Sequence, residues 1–243
     1  MAKAQFGLVG LAVMGQNLVR NVERNGFSCA LGHRFGVSSS VSGSPRRFKK
    51  LFSVFQSMNQ ILVPSFEVDP KVLALAARVK LLLFDVDGVL TDGRLVIGDD
   101  GQEYKAFNSR DGHGIKMLQR HGVAAGIITG RTSEVVKHRV KDLDIKYVHQ
   151  GCKEKLPVYR KLIAELGLAP EQTAYVGDDV VDLPIMLQVG LAIAVQNAHP
   201  LARKLAHWIT PCIGGYGAAR EACEMILYAQ GPLILRPKTL KHI

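Results

Sequence analysis

Two aspartates follow an apolar run in the middle of the chain, at Leu81-Leu-Leu-Phe-Asp85-Val-Asp87. The run is typical of a strand buried on both faces of a parallel sheet, which places Asp85 and Asp87 at the carboxyl end of the strand, where open α/β sheets bind ligands. Because the two residues are two apart on extended backbone, their side chains point the same way. Gly88 then lets the backbone turn and approach a ligand closely. The alternative is an ordinary acidic turn after a core strand.

Two later apolar stretches, residues 124–128 and 173–177, also end in polar side chains. The residues beyond them are Thr129, Gly130 and Arg131 after the first, and Asp178, Asp179 and Asp182 after the second. Lys155 lies near the start of a predicted helix between the two stretches. Because the carboxyl ends of parallel strands meet at one edge of a sheet, we expect a hydroxyl, several carboxylates and an ammonium group to share one cleft.

This set of groups is the one that phosphoryl transfer needs. Clustered carboxylates repel one another unless a cation lies between them, and an all-oxygen site with few carboxylates suits Mg²⁺. One aspartate would attack phosphorus and become an aspartyl phosphate, while a second protonates the leaving oxygen and later activates water. Thr129 and Lys155 would donate to the phosphoryl oxygens, and Asp178 would hold the metal.

From Val79 onward, strand and helix patterns alternate, which predicts an α/β domain with a parallel sheet covered by helices on both faces. Residues 94–97 and 103–107 flank a Gly98-Asp-Asp-Gly101 turn and predict a β-hairpin that projects from the sheet. Further predicted helices are residues 71–78, 111–121, 133–143, 153–166 and 218–229, and further predicted strands are residues 146–149, 191–195 and 208–210. We place the domain at residues 76–232, followed by a basic tail at 233–243.

The N-terminal segment has a different pattern. Residues 6–31 predict a strand, a tight turn containing Gly10 and Gly15, a helix and a second strand. The string GLVGLAVMGQNLVRNVERNGF resembles the start of 6-phosphogluconate dehydrogenase, which implies an NADP site with the His33-Arg34 pair only partly matching that family. The likeness stops near Arg34, and no later units complete a dinucleotide fold.

We therefore predict an incomplete strand-helix-strand fragment at residues 1–35 and a linker at 36–75, whose start is rich in serine and glycine. An NADP-binding module within residues 1–34 is an alternative function from a different class. A targeting peptide is a further alternative, because the region is rich in serine and poor in acidic residues. The glycine-rich strand-turn-helix pattern argues against it.

Composition narrows the functional classes. The net charge of +10 is concentrated in residues 1–66, which hold eight basic residues and one acidic residue, so nucleic-acid binding is not predicted for the main domain. No apolar run reaches the roughly 18 residues that span a bilayer, so we predict no membrane association. The cysteines are scattered and form no C-x-x-C pair, which favours a cytoplasmic protein without a zinc site or a disulfide framework. They are Cys29, Cys152, Cys212 and Cys223.

The motifs together resemble the haloacid dehalogenase superfamily of phosphatases. The matching signatures, in order, are Asp85-x-Asp87-Gly-Val, Ile-Thr129-Gly-Arg, Lys155, and Gly-Asp178-Asp179-x-x-Asp182. Over about residues 75–232 the chain is similar, more narrowly, to the 3-deoxy-D-manno-octulosonate 8-phosphate phosphatases. The strings that carry this likeness are FDVDGVLTDG, FNSRDGHGI, IITGR, YVGDDVVDLPIM, AHPLA and GGYGAAREACEMIL.

The resemblance implies a Rossmann-like sheet without a cap domain, and a homotetramer in which hairpins assemble and neighbouring subunits complete each site. It implies that Asp85 is the nucleophile and Asp87 the acid–base, with Mg²⁺ bound by Asp85, the backbone carbonyl of Asp87 and Asp178. The expected substrate-binding residues are Arg110, Gly130, Arg131 and Arg220. Asp179 and Asp182 are expected to hold Lys155 or metal-bound waters.

These observations lead to a functional hypothesis. We expect a cytoplasmic, Mg²⁺-dependent phosphatase of lipopolysaccharide biosynthesis that acts on a small sugar-acid phosphate, 3-deoxy-D-manno-octulosonate 8-phosphate. A nine-carbon sugar-acid 9-phosphate is the nearest alternative substrate. A non-catalytic assembly protein, in which the N-terminal extension blocks oligomerisation, is a third hypothesis.

Overall fold

The computed structural model describes residues 66–231 of the 243-residue chain. The predicted N-terminal fragment, most of the predicted linker and the basic tail lie outside the described residues. The strands are β1 Leu81–Phe84, β2 Val96–Ile97, β3 Glu103–Tyr104, β4 Ala124–Ile128, β5 Tyr147–His149, β6 Thr173–Gly177, β7 Leu191–Ala194 and β8 Trp208–Ile209. The helices are α1 Pro70–Ala76, α2 Ser109–Arg120, α3 Glu134–Asp142, α4 Lys155–Glu165, α5 Leu183–Met186, α6 Pro200–Leu205 and α7 Ala218–Gln230. Pro170–Gln172 and Val180–Asp182 form 3-10 turns.

Six strands form one parallel sheet in the order β5-β4-β1-β6-β7-β8, which confirms the predicted α/β fold. Strand β1 is central, and its last residue, Phe84, is in register with Ile127 of β4 and Val176 of β6. The chain positions just beyond these three strands therefore come together at one edge. This register brings the polar strand ends into a single cleft.

The core explains the apolar runs of the sequence. All residues of β1, β6 and β7 are buried, as expected for strands covered on both faces. Helices α2 and α7 pack closely, since a Cβ on Gly114 would lie 3.0 Å from the Cα of Arg220. Among the described residues, no helix combines the length and apolarity needed to cross a membrane.

The predicted hairpin is present and forms a separate antiparallel pair, β2 with β3. Its strands are two residues each, shorter than predicted, because the backbone beyond Tyr104 leaves the pairing and carries Lys105 toward the sheet edge. Between β1 and β4, the chain holds this hairpin and α2 as its only regular elements. The hairpin exposes an apolar surface made of Leu95, Val96, Ile97 and Tyr104.

One local prediction differs from the structure. Asp182, expected one turn into a helix, ends the 3-10 turn that precedes α5, because its carboxylate turns back to accept the backbone N–H groups of Asp178 and Asp179. The helix predicted at residues 71–78 is present as α1, and just before it the ring of Phe66 lies 5.2 Å from that of Trp208. The compact unit therefore begins before residue 76, the predicted start of the domain.

Candidate active site

Three carboxylates meet at the edge of the sheet. Oxygen atoms of Asp85, Asp178 and Asp182 all lie within 4.8 Å of one another. Asp85 leaves β1 with its N–H donating to the carbonyl of Val176 at 3.0 Å, which fixes its backbone against β6. Asp178 follows β6 directly. The sequence prediction that these strand ends converge is therefore confirmed by the register and by the distances.

Lys155, the first residue of α4, provides the buried cation of this cluster. Its Nζ lies 2.7 Å from Asp182 Oδ1 and 3.0 Å from Asp85 Oδ1, and it donates to the hydroxyl of Tyr175 at 3.3 Å. Burial alone would lower the pKa of Lys155, but Asp85 and Asp182 outweigh that effect and raise it. The ammonium group is therefore held in its charged form between two carboxylates.

Asp182 organises this arrangement and uses all of its hydrogen-bonding capacity to do so. Its Oδ1 accepts from Lys155 and from the Tyr175 hydroxyl, both at 2.7 Å. Its Oδ2 accepts from the N–H groups of Asp178 at 2.9 Å and Asp179 at 3.2 Å. Asp182 thus holds Lys155, as expected from the sequence, and its oxygens are already occupied by protein donors.

The remaining carboxylates fit a divalent cation. Asp85 Oδ1 is buried and makes no hydrogen bond, because Lys155 lies at ion-pair distance but outside hydrogen-bond geometry. Burial, followed by the charge of Asp182, raises the pKa of Asp85 to about 6 against the opposing effect of Lys155. Burial and the neighbouring carboxylates raise the pKa of Asp178 to about 8. One ammonium does not neutralise three carboxylates, so Asp85 and Asp178 are the oxygens available to a hard cation such as Mg²⁺.

Asp87 belongs to a second charged cluster, which the sequence did not predict. Its Oδ1 accepts a hydrogen bond from Lys105, and its Oδ2 lies 3.7 Å from Nε of Arg131. Glu103 Oε1 joins both cations, at 3.2 Å from Lys105 and 2.8 Å from Arg131. Partial burial works to raise the pKa of Glu103, but hydrogen bonds from Arg131 and Lys105 outweigh it and lower the pKa.

Thr129 and the backbone beside it complete the cleft. The residue is buried, its N–H donates to the carbonyl of His149, and its carbonyl accepts from Cys152, both at 3.0 Å. These bonds fix the end of β4 against β5 and the loop that leads to Lys155. Thr129 therefore lies on rigid backbone at the same sheet edge as Asp85.

Comparisons with known proteins agree with this geometry. The family model of haloacid dehalogenase-like hydrolases matches residues 148–219. A 3-deoxy-D-manno-octulosonate 8-phosphate phosphatase from Yersinia pestis is 48% identical over 162 residues, which cover 67% of this chain and 87% of that protein. The chain belongs to the 3-deoxy-D-manno-octulosonate 8-phosphate phosphatase family. It is a haloacid dehalogenase-like hydrolase of phosphoric monoesters, as its motifs predicted.

Solved structures of family members give the same fold. The crystal structure of the Yersinia pestis phosphatase is 47% identical, with a TM-score of 0.68, and covers 68% of this chain and 90% of its own. The phosphatase from Moraxella catarrhalis, 39% identical with a TM-score of 0.66, was crystallised with a magnesium ion, a phosphate ion and a KDO molecule. That match covers 67% of this chain and 94% of the Moraxella chain.

The three arginines that were expected to bind substrate lie in different parts of this family member. Arg131 lies beside Asp87, as described above. Arg110 donates to the carbonyl of Tyr216 at 3.2 Å, and Arg220 donates to Glu224 at 2.6 Å on the surface of α7. These contacts hold the last two arginines on the α2–α7 side, so the structure does not bring them to the carboxylate cluster of the same chain.

The contacts of Asp179 differ from the expectation, whereas Gly130 lies open to a ligand. The exposed Asp179 carboxylate accepts from the N–H of Val180 at 2.7 Å and caps the 3-10 turn, rather than contacting Lys155. Gly130 is exposed, and a Cβ there would meet only the carbonyl of Cys152 at 3.8 Å, so its backbone is open to a ligand. The roles of these two residues in the hydrolase stay predictions.

The segment from Gly214 to Gly217 supports the loop that follows Asp85, a role that the sequence did not reveal. A Cβ on Gly214 would lie 1.6 Å from the carbonyl oxygen of Gly88, so only glycine fits at this contact. The buried Asp111 carboxylate anchors the segment by accepting from the N–H groups of Gly217 at 3.3 Å and Arg220 at 2.8 Å. The signal for this role was the close succession of glycines before α7.

Proposed function

We propose that the chain hydrolyses 3-deoxy-D-manno-octulosonate 8-phosphate to the free sugar acid and inorganic phosphate, with Mg²⁺ as cofactor. The observation that carries the proposal is the Asp85 carboxylate, buried beside Lys155 and Asp178 with one oxygen free of hydrogen bonds. The family relationship and the Moraxella catarrhalis complex support the substrate and the metal. Because that sugar acid is a precursor of lipopolysaccharide, the proposed role is a cytoplasmic step of lipopolysaccharide biosynthesis.

In the first half of the reaction, an oxygen of Asp85 attacks phosphorus and the bond between phosphorus and the sugar oxygen breaks. Asp87 gives its proton to the departing oxygen, so the sugar acid leaves as an alcohol. Asp85 must be ionised to attack, and Lys155 at 3.0 Å favours that form. Thr129 lies at the same edge, where it would donate to a phosphoryl oxygen.

In the second half, Asp87 takes a proton from water, and the water oxygen attacks the phosphorus of the aspartyl phosphate. The bond from phosphorus to Asp85 breaks, which frees the carboxylate and inorganic phosphate. When bound by Asp85, Asp178 and the backbone carbonyl of Asp87, Mg²⁺ supplies positive charge that neutralises the phosphoryl oxygens. Lys155 stays charged throughout and balances Asp182.

The substrate is tested by phosphate release from the purified full-length protein. We expect faster release from 3-deoxy-D-manno-octulosonate 8-phosphate than from a nine-carbon sugar-acid 9-phosphate, with both activities removed by chelation and restored by Mg²⁺. Faster turnover of the nine-carbon substrate would reassign the specificity. No Mg²⁺-dependent release from either compound would contradict the proposed activity.

We also propose a homotetramer assembled through the hairpins. Leu95, Val96, Ile97 and Tyr104 are each more than half exposed and lie together on the hairpin of β2 and β3. Such an apolar surface is typical of a protein interface. Light scattering of the wild type should give four times the chain mass. Ile97→Asp should dissociate it, whereas Leu187→Asp, at an equally exposed leucine outside the hairpin, should not.

A further inference from the structure

The side chain of Lys105 is buried although it lies just after a projecting hairpin. Only 1% of its side chain is exposed, and its Nζ contacts both Asp87 and Glu103. A buried ammonium group is costly unless carboxylates compensate it, and here two do. The chain therefore holds a fixed positive charge directly against the residue that we assign as the acid–base.

The two oxygens of Asp87 face different cations. Its Oδ1 faces Lys105, and its Oδ2 faces Arg131 at 3.7 Å. The side chain of Arg131 is 47% exposed, so Arg131 can exchange its bond to Glu103 for one to a substrate anion. Lys105 has no such freedom. The two cations thus have separate roles: Arg131 is free to bind an anion of the substrate, and Lys105 is held by carboxylates of the protein.

The alternating direction of side chains along β3 and the residue after it explains how the hairpin brings the Lys105 ammonium to Asp87. Glu103 and Lys105 are two residues apart and turn toward Asp87, whereas Tyr104 between them is 54% exposed on the opposite side. Glu103 also contacts the Lys105 ammonium, at 3.2 Å. The hairpin therefore places a paired lysine against the acid–base instead of only projecting from the sheet.

We propose that Lys105 is a positioning residue that orients the Asp87 carboxyl group toward the leaving oxygen of the substrate. In the step concerned, the bond between phosphorus and the leaving oxygen breaks, its electron pair stays on that oxygen, and the proton of Asp87 is transferred there. Lys105 keeps its own protons. This inference rests on the proposed function and deepens it by naming a residue that acts through Asp87.

Lys105→Met tests the proposal, because it keeps the stem of the side chain and removes the charge. On a sugar phosphate, whose alkoxide leaving group needs a proton, we expect the single-turnover rate of leaving-group release to fall about 100-fold, with the half-saturating substrate concentration changed less than about threefold. On p-nitrophenyl phosphate, whose phenolate leaves without a proton, the burst rate of phenolate release should fall less than about fivefold. The release step is the readout because Asp87 also activates water in the later hydrolysis step on every substrate. Lys116→Met, at a partly exposed lysine on α2, is the matched control and should behave as the wild type.

A double variant separates positioning from a general structural effect. If Lys105 acts through Asp87, then Lys105→Met should cost little further activity in an Asp87→Asn background. Equal losses in the rate of leaving-group release on both phosphate esters, a change in the half-saturating substrate concentration alone, or additive losses in the double variant would overturn the proposal. If thermal melting shows that Lys105→Met is unfolded, Lys105→Gln is scored by the same criteria.

The same measurements distinguish a wrong role for Lys105 from a wrong substrate assignment. Glycerol 3-phosphate also has an alkoxide leaving group, so it can replace the sugar-acid phosphate in the comparison with p-nitrophenyl phosphate. Failure of the wild type on 3-deoxy-D-manno-octulosonate 8-phosphate alone would contradict the substrate assignment. Loss of the leaving-group difference would contradict the role of Lys105.

Discussion

A Cβ atom on Gly88 would lie 2.1 Å from Oδ2 of Asp178, far inside contact distance. Gly88 also has a φ of +95°, which side chains rarely tolerate. Gly88→Ala should therefore displace the Asp178 carboxylate, weakening Mg²⁺ binding and lowering kcat by about 100-fold or more. Isothermal titration with Mg²⁺ and phosphate-release kinetics measure the two effects.

Gly122→Ala is the matched control for that prediction. Gly122 has a φ of +89°, and nothing lies within 4 Å of the position of its Cβ, so the substitution adds backbone strain alone. It should cost about 1–2 kcal/mol of unfolding free energy and leave kcat unchanged. Equal Mg²⁺ affinity in the two variants would show that the contact with Asp178 does not matter.

Asp182 and Asp179 are three residues apart in the sequence but have very different surroundings. Asp182→Asn removes the buried charge that balances Lys155, so we expect a loss of about 3 kcal/mol in unfolding free energy and a large loss of activity. Asp179→Asn keeps an oxygen for the Val180 N–H at an exposed position and should cost less than about 0.5 kcal/mol. Chemical denaturation measures both values, and similar costs for the two variants would contradict the assigned role of Asp182.

Asp85→Asn should remove turnover while keeping the fold. We expect kcat to fall about 1,000-fold or more, because the amide cannot form the phosphoenzyme. The pKa of Asp85 is raised to about 6, so above that pH the folded state carries an uncompensated penalty that asparagine relieves. The melting temperature should therefore be equal to or higher than that of the wild type. Asp142→Asn, on the exposed end of α3, is the control, and activity within a few-fold of the wild type for Asp85→Asn would mean that another group attacks phosphorus.

The sequence was sufficient to predict the carboxylate cluster because local rules determine it. Apolar runs identify buried strands, and parallel register then brings the residues that follow them to one edge, as Asp85 and Asp178 demonstrate. The prediction also assigned Asp182 to Lys155, although it placed Asp182 inside a helix. Its observed position depends on the hydrogen bonds that two backbone N–H groups donate to its carboxylate. The hydrophobic pattern of the sequence does not predict these bonds.

Other parts of the site depend on tertiary packing and could not be read from sequence patterns. Lys105 lies within a predicted hairpin strand, and no sequence pattern indicates that the path of the chain after β3 buries its ammonium against Asp87. Arg220 was expected to reach the site of a neighbouring subunit; within its own chain its guanidinium bonds to Glu224 one turn later on α7, and its role in substrate binding stays a prediction. The contact of Lys105 depends on the path of the chain in space, whereas the Arg220–Glu224 pair follows from the spacing of four residues on one helix.

Binding of Mg²⁺ should depend on pH, because the cation competes with a proton. The pKa of Asp178 is raised to about 8, chiefly by burial and then by Asp182 and Asp85, so this carboxyl group is largely protonated at pH 7 in the absence of metal. Binding should release about one proton, and the apparent affinity should rise about tenfold per pH unit between roughly pH 6 and 8 before levelling off. Titration calorimetry in two buffers of different ionisation enthalpy measures the proton release.

The stability of the metal-free protein should also depend on the protonation of these carboxyl groups. It should fall as the pH rises, whereas the affinity for Mg²⁺ rises. A carboxyl pKa that is raised on folding contributes stability at low pH, and this contribution is lost as the pH rises through the folded-state values of about 6 for Asp85 and about 8 for Asp178. Metal-free protein should therefore lose melting temperature as the pH rises from the ordinary carboxyl pKa of 3.8 to about 8 and then level off, and Mg²⁺ should restore more of it at each higher pH in that range. In Asp178→Asn the loss should end near pH 6 instead of near pH 8, and the proton release should disappear. A Mg²⁺ affinity that is the same at pH 6 and pH 8 in the wild type would rule out Asp178 as the competing group.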